Sequence, residues 1–277
     1  MDALRRHYPE YLMEAAGLGI FMIAAVLVTA LVEHPYSLFH QSLAPLDGLV
    51  RRCLIGVAMG LTAIGLIYSP WGKQSGAHLN PVVTLTFFRL KKIKPWDACF
   101  YILSQFLGGL LGVGLAASVL GVAIAHPAVN YAVTQPGSAG AGIAWLAELT
   151  ISFGMMLMVL VVSNHPSQGR YTGLYAGALI AIYITLEAPL SGMSMNPART
   201  VASATLAQYW VDIWVYFTAP LAGMLLAAEV YIRWQGRKAV RCAKLHHHNH
   251  KRCIFNCSYK YRKGDEFLSL SDRLPYS

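Results

Sequence analysis

Six apolar stretches of about 20 residues recur along the chain and are separated by short polar breaks. They lie near residues 11–32, 52–68, 98–123, 143–162, 171–189 and 211–234. As helices rising about 1.5 Å per residue, they are long enough to cross roughly 30 Å of hydrocarbon, and they are apolar on all faces. The pattern predicts an all-α membrane protein with six transmembrane helices.

The composition agrees with this class. Of the 277 residues, 56% are hydrophobic and 13% are charged, and the mean hydropathy is +0.45. A soluble chain of this length needs far more charged surface, so the bilayer is the expected solvent.

Basic side chains fall mainly on one side of the predicted topology, and the opposite side holds Arg51, Arg52 and Arg199. On the main side, they precede the first stretch at Arg5 and Arg6, occupy the second connection (residues 69–97), recur at Arg170 and dominate the tail after Trp234. Because short loops rich in Lys and Arg stay cytoplasmic, both termini are predicted to be cytoplasmic, in a plasma or inner membrane. Topology and anionic lipid account for the net charge of +9, which therefore does not indicate nucleic-acid binding.

One phrase, SGxxxNPxxT, occurs twice, at residues 75–84 and 191–200. Each copy follows the second stretch of a three-stretch half, and each half has a carboxylate in its first stretch. An odd number of spans makes the second half enter the membrane inverted, so residues 11–125 and 141–234 are predicted to form an inverted repeat. The predicted organisation is a cytoplasmic N-terminus (1–10), a channel domain (11–234) and a basic Cys/His-rich tail (235–277).

The stretches after the two Asn-Pro pairs, residues 82–90 and 198–206, are too short to span and suit re-entrant half-helices. Pro81 and Pro197 fit the first helical position, where a missing N–H costs nothing. Two opposed positive helix ends, with the Asn80 and Asn196 amides as donors, would bind an oxygen and repel cations. The site therefore suits neutral, oxygen-bearing solutes.

The motifs Asn80-Pro81-Val82 and Asn196-Pro197-Ala198, in inverted halves and followed by Arg199, resemble those of the aquaporin (major intrinsic protein) family over about residues 11–234. The resemblance implies a right-handed bundle of six spanning helices and two half-helices, assembled as a homotetramer with one pore per subunit. It implies a passive channel for water or small uncharged solutes, not an enzyme, with no required cofactor. Val82 stands where the family most often has Ala.

The resemblance also places a selectivity constriction. Arg199 stands in the constriction position, and counting back along the chain adds Met193 and Ile184. The fourth position falls at Gly60, although a one-residue slip to Met59 stays open because of the loop length between residues 68 and 75.

Two sets of positions bear on selectivity. Thr200, Ala204 and the pair Tyr216-Phe217 are similar to water channels rather than glycerol channels. Ile184, where water-strict relatives have His, leaves a more apolar constriction. We predict water as the main solute with some leak of small uncharged molecules, and a glycerol-type facilitator as the alternative.

Three further groups lie at predicted membrane depth. Glu14, Glu148 and His78 are expected to support the re-entrant loops, with the carboxylates accepting loop N–H groups. A proton relay through the two glutamates would instead indicate a coupled proton or metal transporter, which is a remote alternative. Glu187 is either an interfacial residue or a vestibule ligand.

The tail collects Cys and His side chains in a short basic segment. The candidate metal ligands are Cys242, His246, His248, His250, Cys253 and Cys257, with His247 in the same run. Thiols and imidazoles can hold zinc or copper(I), although the spacing matches no standard zinc finger. The alternative is a lipid-facing basic tail, and conduction is not expected to need the metal.

Overall fold

The computed structural model describes residues 2–43, 47–260 and 268–269, so residues 261–267 and 270–277 of the predicted tail domain lie outside the described residues. The regular secondary structure of the described residues is helical apart from a two-residue antiparallel pair, β1 (Tyr259–Lys260) with β2 (Leu268–Ser269). The predicted all-α class is confirmed. The helices are α1 (Asp2–Glu33), α2 (Leu38–Leu43), α3 (Gly48–Tyr68), α4 (Pro70–Ser75), α5 (Pro81–Arg89), α6 (Pro95–Leu120), α7 (Gly140–Ser163), α8 (Thr172–Leu186), α9 (Ala188–Ser191), α10 (Pro197–Ala207) and α11 (Ile213–Gln235).

Five helices in the described part of the chain are long and apolar enough to cross a membrane: α1, α3, α6, α7 and α11. The sixth predicted span contains α8, which has only 15 residues. It is extended by a 3₁₀ turn, Gly169–Tyr171, before it and by α9 after it. The sixth crossing is thus built from three short helical pieces rather than from one long helix.

The spanning helices pack in three extensive pairs: α1 with α6, α7 with α11, and α3 with α8. The first pair belongs to one predicted repeat and the second to the other, while α3 and α8 join the halves. Glycines permit this approach, because a Cβ on Gly60 would overlap the carbonyl oxygen of Gly177 and one on Gly223 would overlap that of Leu149. Small residues at helix crossings are the usual basis of close packing in membranes.

Two half-helices complete the bundle at the predicted places. Asn80 caps α5 and Asn196 caps α10, each followed by proline at the first helical position. The chain enters each loop from a short helix, α4 or α9, that ends in a left-handed glycine: Gly76 with φ 97° and Gly192 with φ 78°. Such φ values strain any residue with a Cβ, so glycine sets both loop entrances.

The outer surface of the bundle is apolar. On α6, Leu103, Leu107, Leu111 and Leu115 repeat every fourth residue and are 52–67% exposed. A stripe of exposed leucines on one helical face is stable against hydrocarbon but not against water. The chain is therefore an integral, multi-pass membrane protein.

One end of the bundle, here called the basic face, holds the start of α1, the connection from Leu90 to Lys94, the connection from Asn164 to Arg170, and the tail. The helix α1 begins at Asp2 rather than near residue 11, so its first turns project beyond the apolar stretch. The buried carboxylate of Glu10 there accepts hydrogen bonds from Arg252 Nε at 3.1 Å and Nη2 at 2.9 Å. The tail is thus part of the folded structure.

The contact between α3 and α8 gives a stability prediction. Gly60→Val should destabilise the bundle by about 1–3 kcal/mol, because its side chain has no room beside the Gly177 carbonyl. Gly65→Val, on the same helix with open space around it, is the matched control. The measurement is the midpoint of thermal unfolding in detergent, and equal midpoints for the two variants would contradict this packing.

Candidate functional site

Each re-entrant loop ends in an asparagine that caps its half-helix. Asn80 Oδ1 accepts the Val82 N–H at 2.8 Å. Asn196 Oδ1 accepts the N–H groups of Ala198 at 3.1 Å and Arg199 at 3.3 Å. The capping oxygen therefore faces the helix, and the amide nitrogen is turned away from it toward the opposite loop.

The two amide nitrogens cross between the loops. Asn80 Nδ2 donates to the Met195 carbonyl and Asn196 Nδ2 donates to the Leu79 carbonyl, both at 2.8 Å. Each asparagine thus binds the residue that precedes the other. An amide nitrogen carries two hydrogens, so each retains one donor for a solute in the cavity that both asparagines line.

The loop backbone alternates into the left-handed region at residues other than glycine. The φ angles are 56° at Ala77, 49° at Leu79, 49° at Met193 and 53° at Met195. These conformations are costly for residues with a Cβ and persist only where the surroundings hold them. The alternation turns successive loop carbonyls in different directions, and it recurs in both halves.

Glu14 holds the first loop. Its Oε1 accepts the Ser75 hydroxyl at 2.7 Å and the His78 N–H at 3.0 Å, and its Oε2 accepts the Leu79 N–H at 2.7 Å. A fourth bond, at 2.8 Å, comes from Gln105 on α6. These bonds occupy both carboxylate oxygens, and Glu14 does not line the cavity.

Glu148 repeats this pattern in the second half. Its Oε1 accepts the Ser191 hydroxyl at 2.7 Å and the Ser194 N–H at 2.6 Å, and its Oε2 accepts the Met195 N–H at 2.7 Å. Both glutamates are fully buried and bonded to loops, as a support role requires, whereas a proton relay would need them to face the solute path. Glu187 is also buried, and it is not among the residues that line the cavity.

His78 also holds the first loop in place, through contacts with α5 and with the tail. Its Nδ1 lies 3.0 Å from Thr84 Oγ1, and its ring lies between Phe87 and Phe255, at centroid distances of 5.2 and 5.3 Å. Its Nε2 is 2.8 Å from the carbonyl of Ala243 in the tail. The tail contact was not predicted, and it joins the C-terminal segment to the pore loop.

A cavity of about 380 Å³ lies along the axis where the two loops meet. Arg52 and Pro127 line it at the end away from the basic face, and the tail residue Leu245 lines it at the basic face. On α3 the lining side chains are spaced four residues apart: Ile55, Met59, Ala63 and Ile67. A four-residue spacing keeps them on one helical face, which identifies the pore-facing side of α3.

Three of the four residues of the predicted constriction line the cavity, and the fourth does not. Arg199, Met193 and Ile184 line the cavity, but Gly60 does not. Gly60 faces α8, and Met59, one residue earlier, faces the cavity and is 2% exposed. The physical reason is helix packing, because Gly60 lies against the Gly177 carbonyl of α8 and the residue before it is turned toward the cavity.

Arg199 is held by the connection between the two halves, where no functional residue was predicted. Its Nη1 donates to the Ala132 carbonyl at 2.8 Å. Ala132 follows Asn130 and Tyr131 in three consecutive left-handed residues, φ 39°, 52° and 52°, in the connection between the two halves. Thr134 of the same connection lies 2.8 Å from Thr200. No periodicity in the sequence indicates this fold-back.

The tail brings together only part of the predicted metal-ligand set. Cys242, Cys253 and Cys257 meet His247, with the four potential ligand atoms within 4.8 Å of one another. His246, His248 and His250 lie outside this group, which corrects the prediction. The chain turns between Lys244 and Arg252, so that His246 packs edge-on to Tyr68, His248 lies beside Gly169, and His250 is exposed.

Burial and mutual hydrogen bonds shift the pKa values of the thiols in this cluster in different directions. Burial raises the pKa of Cys242 well above its usual value. Hydrogen bonds from Cys242 and Cys257 lower the pKa of Cys253. The thiolate is the form that binds metals. Outside the cluster, burial lowers the pKa of His246 to about 4.

Comparisons with known proteins agree with this geometry. The profile of the major intrinsic protein family matches residues 5–231. Aquaporin NIP2-2 of Zea mays is 37% identical over 192 residues, which cover 67% of this chain and 62% of that protein. Aquaporin NIP6-1 of Arabidopsis thaliana is 35% identical over 181 residues, which cover 64% and 57%. The chain thus spans less than two thirds of the length of these relatives.

Among solved structures, the aquaglyceroporin from Plasmodium falciparum matches with a TM-score of 0.69 at 21% identity, covering 81% of this chain and 95% of that one. At this identity the match establishes the fold. An inverted helical bundle with two capped half-helices meeting at a cavity defines a membrane channel class. The chain belongs to the major intrinsic protein family, whose members are channels and not enzymes, so the resemblance seen in the sequence is confirmed.

The crossing asparagines give a testable prediction. Asn80→Leu or Asn196→Leu removes both the capping oxygen and the donor that faces the cavity, so water flux should fall to the level of empty vesicles. The measurement is osmotic shrinkage of reconstituted vesicles at matched protein content. Ser118→Leu, a polar-to-leucine change on the exposed face of α6, is the control. Retention of full flux by both asparagine variants would mean that the pore lies elsewhere.

Proposed function

We propose that the protein is a passive channel whose main solute is water, with a slow leak of small uncharged molecules and exclusion of ions and protons. The observation that carries this proposal is the reciprocal Asn80 and Asn196 bonding at the cavity. It supports a path on which a neutral oxygen meets two donors in succession. The solute follows its own gradient, and no cofactor takes part.

Exclusion of cations follows from the fixed positive groups on this path. The N-termini of α5 and α10 meet at the cavity, and each contributes the positive end of a helix dipole. Arg199 adds a full charge, held in place by the Ala132 carbonyl. A cation would lose its hydration shell beside like charge, whereas a water molecule can exchange hydrogen bonds with the loop carbonyls and amides.

Preference for water over larger solutes rests on the fourth constriction position. Met59 rather than Gly60 lines the cavity, which supports a ring of four side chains rather than three: Met59, Ile184, Met193 and Arg199. A fuller ring favours the smaller solute. The same ring supports the second candidate, a glycerol-type facilitator, because three apolar walls suit the carbon skeleton of a polyol.

Assembly, orientation and domain limits form part of the same proposal. Membership in the family supports a homotetramer with one pore per subunit. The positive charge gathered at the basic face supports a cytoplasmic location for both termini, in a plasma or inner membrane. Residues 11–234 act as the channel domain and residues 235–277 as an attached tail.

The decisive experiment compares osmotic shrinkage with isotonic glycerol uptake in the same vesicles. To remove any contribution of the tail, it uses both the full chain and a chain ending at Trp234. We expect water flux well above empty vesicles and slower glycerol entry. Brisk glycerol entry with water flux no better than empty vesicles would establish the facilitator instead.

The constriction yields a separate prediction. Met59→Ala should admit larger solutes, and since a small steric change is worth about 1–3 kcal/mol of discrimination, glycerol permeability should rise roughly tenfold. Leu61→Ala is the matched control, because Leu61 lies on the same helix and is 62% exposed on its outer side. Equal glycerol permeability in the two variants would exclude Met59 from the constriction.

A further inference from the structure

The tail segment from residue 240 to residue 258, here called the cap, covers the end of the cavity at the basic face. Leu245 lines the cavity, and its N–H donates to the Gly76 carbonyl at 3.1 Å. The Ala243 carbonyl lies 2.8 Å from His78 Nε2, and Phe255 stacks on the same ring. The cap therefore contacts the first pore loop directly, at the residues that lead to Asn80.

Four side chains of the cap form a compact sulfur and nitrogen cluster. Cys242 Sγ and Cys253 Sγ are 3.5 Å apart, and Cys257 Sγ and His247 Nε2 are 3.0 Å apart. In a tetrahedral zinc site with Zn–S bonds of about 2.3 Å, neighbouring ligand atoms lie about 3.5–3.8 Å apart. Small side-chain movements would bring the cluster to this geometry. Three thiols and one imidazole are a standard ligand set for structural zinc.

The cluster residues flank the residues that fill the mouth of the cavity. Cys242 directly precedes Ala243, and His247 is two residues beyond Leu245. Cys253 and Cys257 lie on either side of Phe255. An ion bound to all four would tie both arms of the cap together around the contacts with Gly76 and His78.

In the absence of an ion, the positive charge of the cap opposes its binding to the basic face. The cap contains Arg241, Lys244, Lys251 and Arg252 and no Asp or Glu, and the surface it covers is itself basic. Lys244 is 1% exposed and donates to the carbonyls of Lys251 at 3.1 Å and Arg252 at 2.7 Å. The bidentate pair of Arg252 with Glu10 is an attachment of opposite charge. Three thiolates around a divalent ion would add negative charge at the centre of the cap.

We propose that Cys242, His247, Cys253 and Cys257 form a zinc site, and that zinc bound there locks the cap across the pore so that solute flux falls. The zinc site stands independently of conduction, whereas the lock rests on the proposed channel function. Without zinc, the cap keeps the Arg252 and Glu10 pair, single hydrogen bonds and the packing of Phe255 on His78, but it loses the tie between its two arms and opens often enough for solute to pass.

The first part of the test is metal binding by the full-length protein. After loading and desalting, we expect about one zinc per chain, and cobalt substitution should give the visible spectrum of a tetrahedral thiolate site. The double variant Cys253→Ser with Cys257→Ser should lose both signals. The matched control, Cys53→Ser with Cys99→Ser, changes the two exposed cysteines outside the cluster and should keep them. Absence of zinc and of the cobalt spectrum in the full-length protein would overturn the site.

The second part measures osmotic shrinkage of vesicles with zinc on both sides and then with a chelator. Full-length protein should conduct severalfold faster after chelation, whereas the Cys253/Cys257 variant and the chain ending at Trp234 should conduct equally in both conditions. Arg252→Ala, which retains all four ligands, should bind zinc and yet leak more than the full-length protein. Zinc bound at full stoichiometry with no change in flux would overturn the lock. If the full-length protein after chelation and the Cys253/Cys257 variant both fail to conduct, the proposed channel function fails, and the cobalt spectrum still decides the zinc site.

Discussion

Non-helical backbone inside a membrane must find hydrogen-bond partners within the protein, and the reciprocal bonds of Asn80 and Asn196 meet this requirement at the point where the two halves touch. Each loop supplies the carbonyl that accepts the asparagine amide of the other loop, so neither asparagine completes its hydrogen bonds within its own half. The surrounding structure serves the same constraint. Glu14 and Glu148 bind the loop N–H groups, and the left-handed residues between them keep their costly conformations because those bonds are made.

Much of this arrangement follows from short-range features of the sequence. Apolar length predicts the spans, and a duplicated phrase predicts the inverted halves, because proline after asparagine encodes the start of a helix in both. The family and the helical class are confirmed by comparison. What the sequence could not give is register through irregular chain. Gly60 and Met59 differ by about 100° around α3, and the packing of α3 against α8 decides which of them faces the cavity.

The tail shows the same limit more strongly. A run of histidines carries no period that favours one imidazole over its neighbours, so His247 could not be separated from His246 and His248 by spacing. Its selection depends on a turn closed by the buried Lys244 and on the stacking of His247 against Tyr259, at a centroid distance of 4.4 Å. Both contacts lie within the tail and join residues that are well separated along it, so no local spacing indicates them.

The hydrogen bond from Arg199 to the Ala132 carbonyl makes the two repeats unequal, because it has no counterpart at Val83, the equivalent position of the first motif. Ala132 belongs to neither repeat but to the connection between them, and its carbonyl accepts a hydrogen bond from Arg199 in the second half-helix. Duplication alone explains the paired bonds of Asn80 and Asn196. The hydrogen bond that holds Arg199, in contrast, depends on a segment that occurs once in the chain. A circularly permuted chain with its halves in exchanged order would keep the paired asparagine bonds. It would lose the hydrogen bond between Arg199 and the Ala132 carbonyl, because the connection would be interrupted. The order of the repeats therefore determines whether this bond can form, and the connection between them has a structural role beyond joining the two halves.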